Sequence, residues 1–91
     1  MINIQPANIG KLKGAIMRAV DKIDDVSEGY RPKDRKILGD IANHLEEAAL
    51  YLMEKDGEAA VKELEAAVKL GAALEDGGKP VLARVVVMLK G

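Results

Sequence analysis

Apolar residues recur through the first third of the chain at alternating spacings of three and four, at Ile9, Leu12, Ile16, Ala19, Ile23 and Val26. That spacing marks one face of an α-helix. Lys11, Lys13, Arg18, Asp21, Lys22, Asp24 and Asp25 fall between them, so the opposite face is solvated. Asn8 is placed to cap the helix start, with Pro6 just upstream. The stop is predicted within Ser27-Glu28-Gly29-Tyr30-Arg31. Gly29 suits a left-handed cap, and Pro32 biases the residue before it away from helical geometry.

Pro32 fits the first turn of a second helix, where its missing N–H is not needed, and Asp34 adds a favourable negative charge there. Leu38, Ile41, Leu45, Ala48 and Leu52 carry the stripe of this longest helix. Ile37, Ala42, Ala49 and Met53 widen it into a face that can meet two neighbours. Lys55-Asp56-Gly57-Glu58 reads as a polar turn. A third helix follows, with Ala60, Val61, Leu64, Ala67, Val68 and Leu74 on its buried side. Gly77-Gly78 and Pro80 break it. In the tail, Val85-Val86-Val87 favours a strand by propensity, while Leu82, Val85, Val86 and Leu89 also form a helical stripe. A helix is expected, because the chain offers no other strand to pair with; a sheet between the tails of two copies is the alternative.

These elements predict an all-α domain spanning residues 1–91, a small bundle of three to four antiparallel helices around a central helical hairpin. No internal repeat recurs at a period of roughly 20 to 50 residues, which excludes a solenoid within the chain.

Ala48, Tyr51, Ala60, Leu64 and Ala67, with the turn at Lys55-Asp56-Gly57-Glu58, give residues 41–74 a particular pattern. The segment resembles a single tetratricopeptide repeat, a helix–turn–helix unit of about 34 residues. The small residues stand where that repeat brings its two helices together. His44 and Glu47 depart from it by replacing large apolar residues, and Ala72 stands where the repeat closes with Pro. The resemblance implies a protein-binding role. It carries no ligand residues across, because the first helix offers Ala42, Leu45, Ala49 and Met53 rather than a polar peptide clamp.

Composition narrows the functional classes. The 91 residues include no Cys, Phe or Trp and only two Tyr. A disulfide framework, a cysteine zinc site and a thiol nucleophile are excluded, and a cytoplasmic setting is expected. The core must be aliphatic and thin, and ordering each residue costs about 1.5 kcal/mol, so self-association, most simply as a dimer, is expected to add stability. The formal charge of −1 gives no overall pull toward nucleic acid or acidic membranes. The start of the chain lacks a secretory pattern, and no uncharged stretch approaches the ~18 residues of a membrane span.

Catalytic chemistry has little to work with. Ser27 is the only serine and there is no threonine, so a nucleophilic triad is not available, and neither Gly10-Lys11 nor Gly78-Lys79 has the spacing of a phosphate loop. Asp40, His44 and Glu47 share one face of the second helix and are metal-ligand types, but a helical di-metal site draws ligands from several helices. No metal or other cofactor is expected.

Two features remain. Arg31, Lys33, Arg35 and Lys36 surround the start of the second helix beside Tyr30, a cluster suited to phosphate or a nucleic-acid backbone, with the ring available for stacking. The apolar tail, through Val81, Leu82, Val85, Val86 and Leu89, is suited to pair between subunits against the stripe of Leu12, Ile16 and Ile23. The expected function is therefore a non-enzymatic interaction domain that self-associates and binds a protein partner. The alternative is a small nucleic-acid or anion-binding regulator.

Overall fold

The structure, a computed structural model, describes residues 9–74 and the backbone of 79–90; in that last segment it also describes the side chains of 81–83 and 85–87. The expected cap at Asn8 and the helix break at Gly77-Gly78 lie outside the described residues. The chain forms four α-helices, α1 (Ile9–Val26), α2 (Pro32–Met53), α3 (Gly57–Gly71) and α4 (Lys79–Lys90), with no strand among the described residues. The β-branched tail is helical, since a helix makes its hydrogen bonds within the element except at its two ends, whereas a lone strand leaves its ladder unmade.

Each helix turns most of its predicted stripe inward, although Val68 of α3 is only half-buried and the Leu89 side chain lies outside the described residues. Leu12, Ile16, Ala19 and Ile23 of α1 are buried with Leu38, Ile41, Leu45, Ala48 and Leu52 of α2. Ala60, Leu64 and Ala67 of α3 and Val81, Leu82 and Val85 of α4 complete one aliphatic core, and no polar or charged residue is buried in it. Met53 departs from the expected widening of the α2 stripe. It is 62 % exposed. Leu74, expected on α3, is buried just beyond that helix's end.

Helices adjacent in sequence are in contact, and α1 also meets α4, so the contacts close a ring. Among the described residues, α1 does not reach α3 across that ring, and α2 does not reach α4. The molecule measures 38 × 20 × 17 Å, and α2, about 33 Å long at 1.5 Å per residue, runs nearly its full length.

The connections differ in detail from the expected ones. Gly29 is not left-handed. The chain instead tightens into a 3₁₀ turn over Ser27–Gly29, closed by the Tyr30 amide donating to the Ser27 carbonyl at 3.1 Å, and Tyr30 and Arg31 then extend into Pro32. After α2 the left-handed position falls on Lys55, with φ of 64°. Lys55 and Asp56 donate to the carbonyls of Leu52 and Tyr51, the paired bonds that end a helix in a Schellman motif. Gly57 is already the first residue of α3, capped by Asp56 Oδ1, which accepts from the Ala59 amide at 3.1 Å.

Candidate functional site

The four cations at the start of α2 are all exposed, and none is ion-paired among the described residues. They do not converge. At about 100° per residue, Lys33 and Arg35 lie on nearly opposite sides of the helix, so Lys33 neighbours Lys36 while Arg35 neighbours Arg31, whose carbonyl accepts from the Arg35 amide at 2.9 Å. Arg35 is turned back to the chain, its Nε donating to the Tyr30 carbonyl at 3.0 Å. Tyr30 itself is half-buried against the core.

His44 does not gather Asp40 and Glu47 into a centre. Its Nδ1 lies 2.6 Å from Oε2 of Glu63 on α3, a partner that the pattern within α2 alone could not reveal. Among the described residues no group of three His, Asp or Glu side chains is placed to hold a metal ion. No helix among them is long and apolar enough to cross a membrane.

The residues expected to join subunits are used inside one chain. Leu12, Ile16, Ile23, Val81, Leu82 and Val85 are all buried in the core, where α1 and α4 pack together, and side chains so enclosed are not on the surface of the folded chain. Val86 is half-buried against the same core, and the Leu89 side chain lies outside the described residues. Among the described side chains of the apolar run at the tail, Val87 is exposed, at 68 % accessible.

Val87 opens onto a feature that the sequence stripes do not foretell. Between α1 and α4 runs a groove of about 590 Å³, lined by Gly10, Lys11, Gly14, Ala15 and Arg18 from α1 and by Ala83 and Val87 from α4. Gly14 sits in the interior of α1, where glycine costs about 0.5–1 kcal/mol relative to alanine. A Cβ added there would meet nothing within 4 Å among the described residues, as is true also of Gly10, Gly29, Gly39 and Gly57. Its lining is apolar apart from the two cations, Lys11 and Arg18.

The charges of α1 also stand in an unfavourable order. Lys11 lies in the first turn and Asp24 and Asp25 in the last, whereas the helix dipole favours anions at the start and cations at the end. Each exposed misplacement costs about 0.3–1 kcal/mol. Among the described residues, none of Lys11, Arg18, Asp21, Asp24 and Asp25 has an ion-pair partner. The signals available in the sequence were the Gly10-x-x-x-Gly14 spacing inside a helical stripe and this reversed charge order.

No family model, curated protein or solved structure matches the chain.

Proposed function

We propose that the chain is a non-enzymatic interaction module, a four-helix bundle with an antiparallel α2–α3 hairpin, which self-associates and docks a helical protein segment between α1 and α4. The groove carries this reading, because it joins a glycine floor that admits a close backbone approach to an exposed apolar lip and two cations that have no ion-pair partner among the described residues. Kinship of residues 41–74 with the tetratricopeptide repeat belongs to the same proposal. It is supported by the burial of Ala48, Ala60 and Ala67 at the contact between α2 and α3. The lack of cysteine fits a role in the cytoplasm.

Site-directed photo-cross-linking in extracts of the source cell tests this. A cross-linking side chain at Gly14 is expected to form a discrete protein adduct, and one at Asn43, on the outer face of α2, is not. No adduct from Gly14, or the same adducts from both positions, contradicts the reading.

A second reading assigns Arg31, Lys33, Arg35 and Lys36 to a nucleic-acid backbone or another anion. Their exposure at a helix start, with no ion pair among the described residues, favours it.

A further inference from the structure

We infer that the groove between α1 and α4 takes an acidic amphipathic helix of a protein partner, with two carboxylates seven residues apart and a bulky apolar side chain between them. This rests on the reading of the groove as a docking surface and names the chemistry of what it docks.

The charge of the occupant follows from the lining. Lys11 and Arg18 are the two charged side chains of the described lining, both exposed and without an ion-pair partner among the described residues, and its other members are Gly, Ala and Val. They stand seven residues apart on one face of α1, about 10 Å along its axis. A segment that covers the groove takes water away from both cations. A purely apolar segment leaves them unpaired, at a cost, and a basic one adds repulsion. Two carboxylates at the same seven-residue spacing meet both, whereas a ligand with one anionic head meets one. Asp21, exposed and one turn beyond Arg18, ends the cationic stretch, so the acidic part of the partner is confined to about two turns. With a formal charge of −1 the chain as a whole does not attract acidic molecules, and the preference is local to this groove.

The conformation of the occupant follows from the walls. Both are helices, whose peptide groups are paired within the element except at the ends, and no strand among the described residues offers an edge. An extended segment brings unpaired peptide groups against this apolar lining, while a helix keeps its own groups paired. Gly10, Gly14, Ala15 and Ala83 keep both walls low, which lets a third helix lie close. Along α1, Lys11, Gly14, Ala15 and Arg18 hold positions i, i+3, i+4 and i+7. That spacing reads the same in both directions. An apolar side chain three or four residues from a carboxylate therefore lies over Gly14 and Ala15 for either direction of the partner, with the exposed Val87 as its contact on the other wall.

The test is a selection on the purified full chain from a displayed library of helical peptides, with an alanine–glutamine frame and free choice at i, i+3, i+4 and i+7. Asp or Glu is expected at i and i+7 about tenfold or more over Lys and Arg, with Leu, Ile or Met at i+3 or i+4. On the chain carrying Lys11→Glu and Arg18→Glu, the end positions should turn to Lys and Arg, a reversal that an unfolded chain does not produce. Lys11→Glu also puts an acid in the first turn of α1, where the dipole favours it. The conservative exchange Lys11→Arg with Arg18→Lys should keep the acidic choice, and so should Lys33→Glu with Lys36→Glu at the start of α2. No enrichment, no preference for acids, or the same acidic choice on the Lys11→Glu and Arg18→Glu chain overturns the inference, as does its loss with Lys33→Glu and Lys36→Glu. Basic or uncharged peptides whose binding Gly14→Leu abolishes overturn the acidic assignment and leave the docking reading standing; selected peptides that bind the Gly14→Leu chain as well as the wild type remove both.

Discussion

The backbone amide of Asp56 reaches back 2.8 Å to the carbonyl of Tyr51 and closes α2, while its own carboxylate accepts from the Ala59 amide and opens α3. One residue thus satisfies a terminal group of each helix, and the path of α2 into α3 depends on it. Asp56→Ala keeps the closing bond but loses the cap, and it is expected to cost about 1 kcal/mol. Urea unfolding followed by circular dichroism reads this directly. Asp56→Asn, which keeps an acceptor oxygen, should recover most of the loss.

The neighbouring position offers the opposite effect. Lys55 holds a φ of 64°, a region that side chains with a Cβ enter at a cost and glycine enters freely. Lys55→Gly is therefore expected to stabilise the chain by about 0.5–1 kcal/mol, and Lys55→Val to destabilise it. The denaturation midpoints of the two variants should move in opposite directions; a shared direction would contradict the assigned end of α2.

Two adjacent residues of α2 separate core from surface. Leu45 is fully buried, and Leu45→Ala should cost about 2–5 kcal/mol through lost burial and the cavity left behind. His44 beside it pairs with Glu63 while its side chain stays 37 % exposed, so solvent screens the pair. His44→Ala is expected to cost less than about 1 kcal/mol. Thermal melts of the two variants give the comparison, and similar losses would mean that α2 is rotated relative to the packing described here.

The cations at the start of α2 give a prediction for the anion reading. Binding of duplex DNA or RNA through Arg31, Lys33 and Lys36 should weaken steeply as salt is raised, with a slope set by the number of phosphates contacted. Fluorescence anisotropy with labelled duplexes measures it. No binding at low ionic strength would end that reading.

The helices were legible because burial follows period. Ile16, Leu38, Ile41, Leu45 and Leu64 stood on stripes of three and four and are fully enclosed. Turn detail was less legible, because glycine marks where a left-handed residue is cheap and not where the chain needs one. Gly29 ended in a 3₁₀ turn and Gly57 inside α3, while Lys55 took the strained position. The destination of the tail was open for another reason. Val81, Leu82 and Val85 fit a subunit contact and a core equally well by pattern, and the contact of α1 with α4 turns them inward. The groove follows from that same contact between distant segments, so periodicity within either helix does not reveal it. His44 and Glu63 meet across two helices for the same reason.

The claim that the space beside Gly14 is a binding surface is tested most directly by titrating a labelled helical peptide, with Glu, Leu and Glu at positions i, i+4 and i+7, with the wild type and Gly14→Leu across a wide concentration range, with melting temperatures alongside. A leucine there meets no obstacle at its Cβ among the described residues and improves helix propensity, so the fold should be as stable as the wild type or more so. The account predicts a wild type that binds the peptide saturably and a Gly14→Leu chain that binds about tenfold more weakly or worse at equal or higher melting temperature, while Gly39→Leu, on the exposed side of α2, behaves as the wild type. A Gly14→Leu chain that binds as the wild type does, or a wild type that never binds, would contradict it.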